Sequence, residues 1–365
     1  MPDFSAQKSG QANLPLHYGQ APPWLFQRMV KLSRQITISI VDEYGPEEML
    51  RRMSHPYWFQ ALGCALGFDW HSSGVTTTVC GAVKTGIKGI EKELGFFVTG
   101  GKGGTSRRTP NELTDWGQQL ALDAMPLIYA SRMSAKVDSA AIQDGYQLYH
   151  HAFFFTNSGS WAVVQQGMNE SAHYARRYHW LGETVNDFVN EPHSGISSQA
   201  RSVALDLVAE QSAQARKTIA DIAREEKPDT VMTQLKKLST LTLPMRHDIR
   251  LSDLHPDSLK KILLRTYEQQ PTDFKQLLGL PGVGPKTIRA LSLISEIIHG
   301  VAPTYHDPAR YSFAHGGKDG IPYPVDRRTY DKSIEYLTQI LQKAHLETTE
   351  KRAACARLDK LRIKS

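Results

Sequence analysis

The sequence predicts an α+β chain that is predominantly helical, with a small sheet in its N-terminal part and an all-helical C-terminal part. Three observations carry this. Apolar residues recur at helical spacing over long stretches, as at Leu25, Met29, Leu32 and Ile36, which is the period of a helix with one buried face. His150–Thr156 and Trp161–Gln166 are apolar runs on either side of Asn157-Ser158-Gly159-Ser160, the pattern of an antiparallel hairpin with a polar turn. Beyond Ser194 the composition shifts to charged, helix-forming sequence up to Lys227-Pro228. With 365 residues, 40% of them hydrophobic and 22% charged, the chain can bury two or three ordinary cores. The expected organisation is a disordered lead over 1–13, a mixed α+β domain over 14–195, a long helix or linker over 196–240, a helical domain over 241–346 and a charged tail over 347–365.

In chain order, Trp24–Tyr44 reads as a helix that Gly45-Pro46 breaks, and Pro46 suits the first turn of the next helix, Glu47–Met53. His55–Leu66, aromatic and small, reads as a further buried helix. After a loop over Gly67–Gly74, the β-branched run Val75-Thr76-Thr77-Thr78-Val79-Cys80 predicts a strand. Gly81–Leu94 reads as a short helix, and Thr99–Pro110 as either a flexible surface loop or a glycine-rich anion cradle. Helices are expected over Asn111–Ala124 and Tyr129–Gln143, then the hairpin, in which His150 and His151 should lie opposite Gln165 and Gln166. Ser194–Glu226 is expected to be one long charged helix, and Glu347–Ser365 a solvated or frayed end.

A net charge of +6 is compatible with a nucleic-acid partner without requiring one. Cys64, Cys80 and Cys355 form no CxxC pair, which argues against disulfides, a zinc finger or a cysteine-held cluster and favours a reducing compartment. No apolar run approaches a membrane span, so the expected location is cytoplasmic and nucleoid-associated.

The most specific stretch is Leu277-Leu278-Gly279-Leu280-Pro281-Gly282-Val283-Gly284-Pro285-Lys286-Thr287. Phe274, Leu277 and Leu278 mark a short helix, and Ile288, Leu291, Ile294 and Ile298 a second one. Gly282 and Gly284 allow the tight turn between them. Their N–H groups, with Lys286 and Thr287 beside them, suit a backbone phosphate at a helix start. A P-loop is excluded because Pro285 separates Gly284 from Lys286. The stretch resembles the helix-hairpin-helix module of DNA repair and recombination proteins, which implies DNA binding through backbone contacts without base readout. Lys102, Arg107 and Arg108 in the glycine-rich loop are candidates for further phosphate contacts.

Chemistry is expected in the N-terminal half, where Asp69, His71, Lys136, Asp138, Asp144, His150 and His151 neighbour apolar sequence and an unpaired charge would be costly. Carboxylates with imidazoles suit a divalent cation, Mg²⁺ or Mn²⁺, for which Asp69, Asp144 and His150 are the candidate ligands. Lys136 or an imidazole could act as acid, base or charge stabiliser. No HExxH motif is present, and Gln165-Gln166-Gly167 stands where the ExK of many nucleases would be sought.

Several stretches together resemble the prokaryotic family of unknown function 763 over nearly the whole chain. They are Leu14–His17 with Ala21–Leu25, Phe59–Cys64 through Phe68–Thr77, Lys136–Asp138 through Asp144–His151, Ala162–Met168 and Tyr311–Gly320. The resemblance implies a DNA-processing protein with structure-selective nuclease activity; a hairpin that grips backbone without reading bases leaves selectivity to shape, so bubbles, forks or single-strand junctions are the expected substrates, and a helicase or repair protein the expected partner. It implies no catalytic set residue by residue. Leu280–Thr287 also looks like the hairpin of helix-hairpin-helix DNA glycosylases, which would make Lys286 a Schiff-base nucleophile and Asp326 its partner. Here Pro324-Val325-Asp326 comes later than in that family, and the terminal four-cysteine cluster of some members is missing. A non-enzymatic DNA-binding subunit is the third reading.

Overall fold

The structure of the chain, a computed structural model, describes residues 21–68, 74–172, 174–198, 202–238, 256–309, 327–344 and 347–359. Asp69, His71, Asp326 and the lead over 1–13 lie outside the described residues. The chain is mostly helical with a small antiparallel sheet.

Four helices come first: α1 (Pro23–Tyr44), α2 (Pro46–Ser54), α3 (Pro56–Ala65) and α4 (Gly74–Gly86). Prolines open the first three, where a missing N–H costs nothing. Between α1 and α2, Gly45 turns the chain at φ +85°, a conformation other residues resist.

The expected strand Val75–Cys80 is the start of α4. Val75, Thr76, Val79, Cys80, Ala82 and Val83 are buried, which is helical spacing once the window extends to Val83. Packing against α3 overrides the β-branched propensity. Gly63 makes this possible, since a Cβ there would stand only 2.5 Å from Val75 Cγ2.

After α5 (Glu91–Leu94), β1 (Phe96–Lys102) enters the sheet. Thr99–Pro110, expected as a flexible surface loop or a glycine-rich anion cradle, is strand to Lys102, a 3₁₀ turn over Gly103–Arg108 and helix from Thr109. Gly100 sits at φ +77° and a Cβ there would collide with the His151 carbonyl, so this glycine serves close strand approach. Then come α6 (Thr109–Leu120), α7 (Met125–Lys136) with a π-turn over Val137–Ala141, and β2 (Ile142–Gln143).

The hairpin is β3 (Gln147–Thr156) and β4 (Trp161–Asn169), followed by β5 (Tyr174–Leu181), β6 (Gly195–Ser197) and β7 (Leu205–Asp206). Strand order in the main sheet is β1-β3-β4-β5-β6, and β2 pairs with β7 separately. The register pairs His150 with Gln166 and His151 with Gln165, as the sequence predicted.

The long helix expected over Ser194–Glu226 is not formed. Among the described residues of that range the α-helix is α8 (Ala213–Glu225), preceded by a 3₁₀ turn over Glu210–Ser212, because Ala204 to Val208 are buried consecutively as in a strand. Asp206 also turns the chain by accepting from the Val208 and Ala209 N–H groups at 3.0 and 3.1 Å.

Among the described residues the remaining helices are α9 (Pro228–Leu238), α10 (Pro256–Gln269), α11 (Phe274–Gly279), α12 (Pro285–Ile297), α13 (Arg327–Lys343) and α14 (Thr348–Asp359). One sheet face, with Phe97, Phe153, Phe155, Val163 and Trp180, packs into a core that continues through α7 to α8, α10, α11 and α12. The other face, with Phe96, Phe154 and Val164, packs against α1 to α4 and against α13 and α14. The first core thus runs through the stretch expected as a linker at 196–240, and the second joins residues on either side of 347. Instead of fraying, the described part of the tail buries Ala354 and Leu358, and Arg357 donates to the Ala65 carbonyl at 2.8 Å.

Candidate functional site

Alternation along the strands divides the expected polar cluster between the two faces of the sheet. His150, Gln166 and Arg177 belong to one face; His151, Gln165, Arg176 and Tyr178 to the other.

On the first face, Arg177 is buried and donates to Gln60 Oε1 and Thr76 Oγ1, both at 2.9 Å. Those two partners are neutral, and burial pulls the guanidinium down to about 9. Thr76 in turn donates to Gln166, which donates to the Tyr149 hydroxyl. Beside them the His150 ring is buried with no hydrogen bond to either nitrogen among the described residues. Burial, with His151, Lys102 and Arg177 nearby, pushes its pKa down to about 3. It is a neutral imidazole in a positively charged neighbourhood.

On the second face, Asp144 is bound by Arg176 Nη1 at 2.8 Å, by the Tyr178 hydroxyl at 2.6 Å and by the Tyr146 N–H at 3.1 Å. Arg176 also donates to Asp307 at 2.6 Å. This ion-pair set ties the segment near Asp307 to the sheet. Asp144 and His150, expected to share a divalent cation, therefore sit on opposite faces, one engaged by an arginine and the other among cations. They do not fit as a ligand pair. Among the described residues no group of three His, Cys, Asp or Glu side chains converges as a metal site.

Structure does bring Asp138 and His151 together, through Gln165. Gln165 Nε2 donates to Asp138 Oδ2 at 2.5 Å, and its Oε1 meets His151 Nδ1 at 2.9 Å. His151 Nε2 faces the Ser131 hydroxyl at 2.9 Å. The other oxygen of Asp138 takes His193 Nε2 at 2.5 Å, and Trp180 Nε1 adds a bond to Oδ2 at 3.0 Å. Residues Ser131, Asp138, His151, Gln165 and Trp180 are all buried, so each polar group needs these bonds.

The line opens at both ends. At the Ser131 end lies a pocket of about 230 Å³ whose walls include Arg107, Arg132, Tyr149 and His150. At the His193 end lies a cleft of about 460 Å³ with Glu191, Asp206, His306 and Asp307 in its walls. Burial pushes the Asp206 carboxyl up to about 6, and Glu191 holds φ +45°, uncommon for a residue with a side chain.

Lys136 stands apart from these carboxylates. Its ammonium is half-buried and donates to the Leu280 and Val283 carbonyls at 3.1 and 2.5 Å, and burial lowers its pKa. It clamps the turn between α11 and α12, so the acid, base or charge-stabilising role expected of it has no partner here. Arg265 takes the Pro281 carbonyl and Gln143 the Pro285 carbonyl. With its carbonyls held from within, the turn keeps Gly282 at φ +89° and leaves Gly282 and Lys286 exposed. Thr287, expected to contact DNA, is buried. Lys102, Arg107 and Arg108 are exposed.

Ser131, Asp206 and His306 escaped sequence reasoning. Gln165 was legible, since the hairpin register sets it opposite His151. Ser131 was not, because only tertiary packing turns that face of α7 toward β3.

The family model described as Protein of unknown function (DUF763) matches residues 10–325. The chain belongs to that family. No curated protein and no solved structure matches it.

Proposed function

We propose that the chain is a DNA-processing protein that grips the nucleic-acid backbone with the α11–α12 hairpin and cleaves phosphodiester bonds at forks, bubbles or single-strand junctions. The observation that carries the reading is the turn itself. Lys136, Arg265 and Gln143 hold its carbonyls inward, while Gly282 and Lys286 remain at the surface. A turn so built offers N–H groups and a cation to a phosphate and reads no base. Selectivity then falls to the shape and deformability of the DNA.

Asp144 and His150 do not suit a divalent cation, and no step is drawn through one. Glu191, His193, Asp206 and His306 line the larger cleft, but they do not converge as a metal site either.

The test is cleavage of end-labelled duplex, single-stranded, forked and bubble DNA in Mg²⁺, in Mn²⁺ and in EDTA. Cutting favoured at junctions supports the reading. A product trapped by borohydride and lost in Lys286→Ala would identify the glycosylase and lyase chemistry that the hairpin also resembles. Binding with steep salt dependence and no cutting in any buffer would leave a DNA-binding subunit.

A further inference from the structure

The line from Ser131 to Asp138 has a direction. Asp138 is a carboxylate at the centre of three donors, so Gln165 must present its NH₂ to it and its carbonyl to His151. That carbonyl can only accept, so the proton of His151 sits on Nδ1 and Nε2 is left with its lone pair. Nε2 is the atom 2.9 Å from Ser131 Oγ. The hydroxyl therefore donates to a base that is oriented from behind, which is the arrangement that activates a serine.

A serine within a helix ordinarily returns its hydroxyl to a carbonyl one turn back. Ser134 on the same helix does so, donating to the Ser131 carbonyl at 3.1 Å. Ser131 does not; its hydroxyl goes across to β3. The pocket it lines also holds Arg107 and Arg132, which are exposed and carry no ion pair among the described residues. The buried His150 ring, without a hydrogen bond among the described residues, stands in the same wall.

We propose that Ser131 is a nucleophile toward an anionic phosphoryl ester, with His151 as its base and with Gln165 and Asp138 as positioning residues. The activity goes beyond the reading above, because it requires neither DNA nor a metal ion. A phosphoryl group is favoured over a carboxyl ester for a geometric reason. Ser131 lies inside α7, where its own N–H is spent in the helix, so no backbone oxyanion hole adjoins it. Two guanidinium groups at the mouth suit the oxygens of a phosphoryl group.

The step balances. His151 Nε2 takes the hydroxyl proton as Oγ bonds to phosphorus, and the bond to the leaving oxygen breaks. That oxygen receives the proton from His151. Water, deprotonated by the same imidazole, then attacks the phosphoseryl group, and the proton returns to Oγ as the Oγ–P bond breaks.

The test uses the full chain and a small organophosphorus fluoride, diisopropyl fluorophosphate, whose adduct cannot turn over readily. Intact mass and peptide mapping should find one diisopropylphosphoryl group on Ser131. Labelling should rise as an imidazole loses its proton. It should vanish in Ser131→Ala, fall at least 100-fold in His151→Gln, and persist in Ser134→Ala, which shares the helix. In Asp138→Asn the rate should fall and its pH midpoint move, with the fold kept by circular dichroism. If Ser131→Ala does not fold, Ser131→Cys replaces it; a nucleophilic position predicts alkylation by iodoacetamide faster than at Cys355, with a depressed pH midpoint. No adduct on the folded wild type, or an adduct that survives Ser131→Ala, would overturn the proposal, and the DNA reading would stand or fall separately on its own assay.

Discussion

Asp206 illustrates how one carboxylate can be structural and titratable at once. Its Oδ1 holds two backbone N–H groups, while burial lifts its pKa from the usual 3.8 to about 6. A raised carboxyl means the folded state favours the protonated form. The associated stability is present below pH 3.8 and is lost as the pH rises through about 6. Asp206→Asn keeps an acceptor for the same N–H groups and removes the charge. Its unfolding free energy relative to wild type should rise by about 2.4 kcal/mol between pH 4 and pH 7. Urea melts at both pH values measure this, and a pH-independent difference would refute it. At this scale the sequence was informative where a register could be written down, as for His151 opposite Gln165. It was silent where a partner comes from afar. Nothing local to Asp144 announces Arg176 and Asp307, and so a buried ion pair was read as a metal ligand.

Among the elements, the α11–α12 hairpin was the most legible, because its turn chemistry is local: apolar spacing, Gly282 and a proline at the start of α12. What sequence could not supply is its mooring to α7 by Lys136. That mooring separates two kinds of lysine. Lys136→Ala strands the Leu280 and Val283 carbonyls, which costs about 1–3 kcal/mol of stability. It should weaken DNA binding through a looser turn while the salt dependence keeps its slope, since no phosphate contact is removed. Lys286→Ala should leave stability within about 0.5 kcal/mol and reduce the salt slope by about one ion. Fluorescence anisotropy over a salt series with melts on both variants distinguishes them; equal slopes would remove Lys286 from the interface. Elements whose form depends on distant packing were misread. Val75–Cys80 is β-branched yet helical because α3 and β4 cover it, and Ala204–Val208 is charged at its borders yet buried as a strand.

For the molecule as a whole, the sheet is covered on both faces, and that is what traps three neutral imidazoles inside it. His150 is held down to about 3, His151 is lowered and His179 is well below its ordinary range, in each case chiefly by burial. An unfolded chain would protonate all three below about pH 6.5. The folded state binds fewer protons, so this stability is present above pH 6.5 and is lost as the pH falls toward the folded values. Asp144 and Asp206, both pushed upward by burial, act oppositely and offset part of it. With three imidazoles against two carboxyls, the balance predicts a net uptake of protons on unfolding near pH 5, so that stability falls with falling pH. His150→Leu removes one imidazole without stranding a partner, since neither of its ring nitrogens is bonded among the described residues. Its slope between pH 6 and 4.5 should be shallower by about one proton, and that of Asp206→Asn steeper by nearly one. Opposite changes in the two variants, read from denaturant melts across that range, would trace the acid sensitivity to the covered sheet; identical slopes in all three proteins would mean that these groups titrate alike folded and unfolded.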